Sequence, residues 1–345
     1  MVRFFDNREI YHNECLDALT SLYPGLYVRV PVEMGNHQAI MRTDCRNRVS
    51  IVVGSGAGNN PWCFGYVGEG MADAAVQGPV YTAPSARAIQ KVTRAVPHKD
   101  GVLYICTNNF GDVMNFELAG ELVEMEGIRT YTVKVSDDIS TAARESKDQY
   151  RGIAGVLLVV KAAGGAALQN MNLEDVARIA GKANDNTYTF NVLASPMRDP
   201  GTDHLILDVK RGMLEFGAGF SGEPGVFRKR YNSVADTVDI VMKYLLNQIQ
   251  PLPMEEVSLL VNGHGRTCME ELTVITSHIV RVLHHNEINL HSYMVGHAYS
   301  PADSTGFSVY LIGLDEELKW CLDMPSKAPL TSSLIREVYA EGIRS

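Results

Sequence analysis

Three short segments carry residue types that could hold and activate a hydroxylated ligand. Thr107-Asn108-Asn109-Phe110-Gly111-Asp112 directly follows the apolar run Val102–Cys106. Asp112 stands where a strand gives way to a helix. A carboxylate there is either a helix-start anion favoured by the dipole or a base held at the sheet's edge. Gly54-Ser55-Gly56-Ala57-Gly58 follows a second apolar run and leads into Asn59-Asn60-Pro61. Glycines let the backbone approach a ligand, and free N–H groups there bind anionic or hydroxylated groups. Asn262-Gly263-His264-Gly265-Arg266-Thr267 places an imidazole and a guanidinium at a helix start, where an anion is welcome. Ser221-Gly222-Glu223-Pro224-Gly225 is a turn by composition. Trp62 and Cys63 follow the first loop, where packing and ligand contact explain them equally well.

Other chemistries are excluded. No GxxxxGK[ST] string is present, so the chain has no P-loop. Gly54–Gly58 matches a dinucleotide loop only loosely, and no acidic residue sits at the expected strand end. His264, His278, His291 and His297 lack HxH or HExxH spacing, so no metal site is expected. His284-His285 fall at a helix end, where positive charge suits the dipole. Cys15, Cys45, Cys63, Cys106, Cys268 and Cys321 form no CxxC pair and read as reduced thiols.

The elements that position these segments follow from periodicity. Residues 1–30 read as an amphipathic helix, with Ile10, Cys15, Leu16, Leu19 and Leu22 near helical spacing, then a turn at Pro24-Gly25. Val49–Val53 is a buried strand opening into the glycine loop. Val102–Cys106 is a strand, 113–125 a helix closed by Gly127, and Thr130–Val135 the next strand. This β-α-β order is the α/β class, each sheet flanked by helices. Val156–Val160 fits a strand by β-branching, but its continuation through Ala162–Leu168 favours one buried helix over 153–169. Asn172 caps another helix. Ala194–Asp203 is a loop, and a domain change is expected near 185–200. Val257–Val261 is a strand, 268–284 a helix and Phe307–Ile312 the last strand.

The chain has 345 residues, room for two domains at ~150 residues each. Its 46% hydrophobic content supplies a sizeable core. The net charge of -9 comes with no basic block, which argues against nucleic acid. No apolar run reaches the ~18 residues of a membrane span. The opening residues are charged too early for a secretory segment, so a cytoplasmic protein is expected.

Several strings together resemble the K subunit of dihydroxyacetone kinase. They are Gly65-Tyr66-Val67-Gly68-Glu69-Gly70-Met71 with Asp73–Val76, Gly111–Phe116, Asp137-Asp138, Arg151–Gly155, Gly222–Gly225, Val261-Asn262-Gly263 with Gly265 and Thr267, and Gly306-Phe307-Ser308. They agree in order across about residues 10–330. The resemblance implies two α/β domains, 1–190 and 191–345, and a homodimer that holds a small ketose between loops of both domains. It implies a histidine bonded to the ketone carbon as a hemiaminal, and an aspartate aided by a first-loop histidine in removing the hydroxyl proton. It implies no cofactor on this chain. Mg-ADP or Mg-ATP belongs to a separate L-type subunit that docks over the sugar.

The departures from the family pattern fall on the sugar pocket. The covalent histidine position is Ser221. The first-loop histidine is Asn59, with Asn60 in place of glutamate, and the loop's second histidine is Cys63. The lysine that opens the second loop is Thr107, and a pocket serine is Ala83. Gly56 and Asp112 keep the family's residues. A serine hydroxyl cannot form the aminal that imidazole forms. The resemblance therefore implies non-covalent binding of a small ketose or polyol through Gly56, Asn59, Asn60, Ala83, Thr107, Asp112 and Ser221, with Asp112 as base. Asp112 and Ser221 are expected to face each other across a cavity between the two halves. The alternative is a catalytically inactive ligand-sensing paralogue, of the kind that pairs with transcription factors. His264, Arg266 and His297 stand where the family has other residues, and a relocated imidazole or guanidinium function is one reading of them.

Overall fold

The computed structural model describes residues 4, 6–7, 11–32, 35–45, 48–249, 256–329 and 335–338. Ile10, assigned above to the first helix, lies outside them. The first helix is α1 (Tyr11–Leu22), followed by strands β1 (Tyr27–Arg29), β2 (Gln38–Arg42), β3 (Ser50–Ala57) and the short β4 (Asn59–Asn60). Next come β5 (Ala74–Val80), α2 (Ala86–Ala95), β6 (Val102–Thr107), α3 (Phe110–Glu124) and β7 (Thr130–Val135). Helices α4 (Val156–Leu168) and α5 (Leu173–Asp185) precede β8 (Thr187–Leu193), β9 (Met197–Arg198), β10 (Leu205–Leu207), β11 (Met213–Phe216) and β12 (Phe227–Arg230). The remainder is α6 (Val234–Ile249), β13 (Glu256–Gly263), α7 (Met269–His285), β14 (Asn289–Gly296), β15 (Ser300–Pro301), β16 (Gly306–Gly313), α8 (Glu316–Asp323) and β17 (Ile335–Val338).

The first sheet runs β1-β2-β5-β3-β6-β7, and its centre is parallel. The second runs β12-β11-β8-β16-β13-β14-β17 and is mixed. Side chains alternate faces along each strand, so each sheet buries two sides. Val52, Tyr104 and Cys106 pack with α2 and α3. Ile51, Val53, Leu103 and Ile105 point the other way, onto α4 and α5. In the second sheet, Val257, Leu259 and Val261 face α6 and α7. Leu260, Tyr310 and Ile312 join the core that contains α4. Helix α4 thus lies between the two sheets. Every residue from Val156 to Ala167 is buried, as an all-round apolar helix requires. The helical reading of 153–169 holds for this reason.

Other expectations shift. Gly54–Ala57 continue β3 rather than opening a loop. A Cβ on Gly54 would lie 2.4 Å from the Val76 carbonyl, and one on Gly56 2.5 Å from the Thr82 nitrogen. These glycines serve close strand and turn packing. Helix α3 starts at Phe110, so Asp112 lies inside its first turn. The Asn172 cap is present, its side chain accepting from the Asp175 nitrogen at 2.8 Å. Residue 190 falls within β8, so a division by sheets lies before Thr187. Gly306–Gly313 is followed by one more strand, β17, paired with β14.

Candidate functional site

Asp112 is held by hydroxyls from two neighbouring strands. Ser55 Oγ and Thr107 Oγ1 each donate to its Oδ2 at 2.7 Å, and Asn109 Nδ2 donates to Thr107 Oγ1 at 2.9 Å. Its Oδ1 is buried and has no hydrogen-bond partner among the described residues. Burial pushes the carboxyl up to about 6, against the opposing effect of the hydroxyls. The result is a carboxylate with one oxygen saturated, one bare, and a proton affinity suited to accepting a proton near neutral pH. Ser55 was not singled out within the Gly54–Gly58 segment; it lies inside β3 and meets Asp112 only through the register of neighbouring strands.

Gly56 and Ala83 belong to the same neighbourhood. Gly56 abuts the Tyr81-Thr82 turn, and a Cβ on Gly111 would lie 3.2 Å from that of Ala83. Asn59 is buried, its Oδ1 without a partner among the described residues, while Asn60 is exposed. Both pair through β4 with Ser300 and Pro301 of β15, so the first loop is stitched to the second half.

Ser221 lies on a separate loop and is exposed. Its nitrogen donates to Glu223 Oε2 at 3.0 Å. The loop is gripped from the first half. Arg151 Nε donates to the buried Asp138 carboxylate at 3.1 Å and its NH2 group to the Gly217 carbonyl at 3.3 Å. Ser140 Oγ donates to the same carbonyl at 3.0 Å. No hydrogen bond joins Asp112 and Ser221 among the described residues. Between the two halves lies a row of buried rings: Trp62 is 5.9 Å from Tyr299, and Tyr299 is 5.4 Å from Phe220, beside Ser221. Burial drives the Tyr299 phenol well above the usual range, and the charges of Asp112 and Glu223 push it the same way. Asn262 fixes Tyr299 by accepting from its nitrogen at 3.0 Å and donating to its carbonyl at 2.9 Å. Sequence reasoning missed Tyr299 and weighed Trp62 without deciding.

His264 is a core residue here. Its Nε2 meets Asn191 Oδ1 at 2.9 Å and its Nδ1 meets Ser304 Oγ at 3.3 Å. Burial takes it down to about 3, so the ring is neutral. Arg266 is half exposed, 3.7 Å from the Asp303 carboxylate. His297 Nδ1 lies 3.0 Å from the Gly263 carbonyl. Among the described residues no group of three or more His, Cys, Asp and Glu is placed to hold a metal ion, and no helix is long and apolar enough to cross a membrane. A cavity of about 600 Å³ lies in the second half, lined by residues that include Val192, Met213, Thr267 and Phe307. Another of about 290 Å³ touches Asn60 alone among the expected ligand contacts.

The Dak1 domain profile matches residues 26–330. This chain belongs to the Dak1 domain family. The dihydroxyacetone-binding subunit DhaK of a PTS-dependent dihydroxyacetone kinase 2 from Listeria innocua is 39% identical, over 82% of this chain and 85% of that protein. The D-erythrulose kinase of Mycolicibacterium smegmatis is 34% identical over 86% of this chain, which spans 51% of that enzyme's length. In structure, native dihydroxyacetone kinase of C. freundii matches with a TM-score of 0.86 and 27% identity, covering 99% of this chain and 62% of that one. The dihydroxyacetone kinase operon co-activator DhaQ matches with a TM-score of 0.84 and 27% identity, covering 91% of this chain and 96% of that one. Within this Dak1 fold, Ser55, Gly56, Ala83, Thr107 and Asp112 are brought together, and Ser221 stands apart on its own loop.

Proposed function

We propose that this chain is a ketose-binding subunit of the dihydroxyacetone kinase type, holding its sugar without a covalent bond. The observation that carries the reading is Asp112. Its Oδ1 is buried and unpartnered, while Oδ2 is fixed by Ser55 and Thr107. A sugar hydroxyl placed against Oδ1 donates its proton there as its oxygen attacks a phosphoryl group. Mg-nucleotide on a partner subunit supplies that group and most of the charge stabilisation during transfer. Asn59, with a buried bare carbonyl oxygen, accepts a second hydroxyl. Ser221 offers a hydroxyl and no imidazole. The erythrulose kinases among the relatives support a small ketose as the ligand class.

The test is to mix the purified chain with an L-type nucleotide-binding subunit and triose, tetrose and pentose ketoses. Mass spectrometry then reads phosphorylated sugar and any protein adduct. Turnover that falls ~10²–10⁴-fold in Asp112→Asn, with no adduct at Ser221, is expected. Turnover undiminished in that variant refutes the role of Asp112. The likeness to the co-activator DhaQ over nearly all of that chain, and the packed rings of Trp62, Tyr299 and Phe220, favour ligand sensing as the second reading. Sugar binding with no phosphoryl transfer to any ketose selects it.

A further inference from the structure

Among the described residues, Nδ1 of His12 and Nε1 of Trp62 are buried behind the first loop without a hydrogen-bond partner. His12 lies in the first turn of α1 and is 2% exposed. Its Nε2 sits 2.9 Å from the Asn36 carbonyl, an acceptor, so Nε2 carries the ring proton. Nδ1 is left as a bare acceptor, and burial lowers the ring's pKa and keeps it neutral. The indole nitrogen of Trp62 is a donor only.

Both residues line one cavity of about 290 Å³. Its wall is otherwise mostly carbon, from Ala18, Leu19, Leu22, Pro61 and Phe64. A buried donor or acceptor without a partner is destabilising, and such groups in native proteins call for an explanation. One water needs only ~10–15 Å³, so a single water leaves most of the space and the apolar wall uncovered. A hydroxyl both donates and accepts, and a short hydrocarbon chain fits the rest.

We infer that the cavity between α1 and the Asn60–Phe64 turn binds a small aliphatic alcohol with one or two hydroxyls. The hydroxyl groups donate to His12 Nδ1 and accept from Trp62 Nε1, and the carbon chain lies along Ala18, Leu19 and Phe64. This site is distinct from Asp112 and reaches the same loop from behind, because Asn60 lines the cavity and Asn59 pairs with Pro301. An occupant braces the loop that carries both asparagines.

The chain has two tryptophans, and Trp320 is 45% exposed. The full-length Trp320→Phe protein therefore reports on Trp62 alone. Titration with 1-hexanol should give a saturable change in Trp62 emission. His12→Phe removes the acceptor at nearly constant volume and should weaken binding at least tenfold. Ala18→Phe, at an exposed position of α1 that borders the cavity, should weaken it similarly by narrowing the space. The absence of saturation up to the solubility limit overturns the assignment. So does an unchanged affinity in His12→Phe. If His12→Phe does not fold, an unchanged affinity in Ala18→Phe overturns it.

Discussion

Asp112 sets chemistry against stability. Its carboxyl titrates near 3.8 when unperturbed and near 6 in the fold. Between those values the folded chain binds the extra proton, so stability falls as pH rises through that window and the cost is complete above about 6. The gap of about two pH units corresponds to ~3 kcal/mol as an upper figure. Asp112→Asn keeps acceptors for Ser55 and Thr107 and removes the buried charge. It should raise the melting temperature at pH 7 and lose that advantage near pH 4, read by calorimetry at the two pH values. If the proposed kinase activity holds, kcat/KM should climb tenfold per pH unit below about 6 and level off above it, since the base must be unprotonated. Asp112 was legible as a candidate because a strand, a glycine and a carboxylate met in sequence. Its partner Ser55 and the ring of Tyr299 were not. They reach the site through strand register and through a loop far along the chain, and neither contact leaves a local signal. His264 illustrates the converse. An imidazole in a glycine-rich loop reads as a ligand contact, yet its two nitrogens are taken by Asn191 and Ser304.

Helix α4 tests the elements. Gly164 and Gly165 sit within it, and a Cβ on Gly165 would lie 2.1 Å from the backbone carbonyl of Cys321, while one on Gly164 would lie 2.3 Å from that of Gly70. Alanine is a better helix former than glycine by ~1 kcal/mol, but forcing atoms into a packed interface costs ~1–3 kcal/mol. The second effect should win, because the obstructing atoms are backbone. Gly165→Ala should lower the urea midpoint with an unchanged slope; a raised midpoint shows that α8 can move away. Helix α4 was read from the length of its apolar run. Periodicity was sufficient for α5 with its Asn172 cap and for α7, whose apolar stripes are long. It failed for Gly54–Ala57, where glycine marks a strand pressed against its neighbours rather than a turn. The strands β1 and β15 are too short to show a period.

At the scale of the whole molecule, Arg151 ties the two sheets' loops together. Asp138 is fully buried and pairs with it, so Arg151→Ala leaves a charge without its partner, at a cost of ~3–5 kcal/mol. Chemical denaturation should show that loss. Limited proteolysis should cut within 217–223 faster than in the parent, since the grip on Gly217 goes with it; unchanged cleavage shows that Ser140 alone suffices. The α/β class was readable from strand and helix order, whereas the stacking of both sheets on α4 was not, because no local pattern records which surfaces share a helix. That shared helix has a mechanical result. Neither half can close its own interior, so a polypeptide severed before Thr187 should yield two fragments that precipitate alone and regain structure only when mixed. Nor can the halves swing apart on a hinge like a clam shell without stripping α4 from one side. A small molecule bound at Asp112 should instead enter beside the exposed Thr82 and Gly111, next to that carboxylate's helix start.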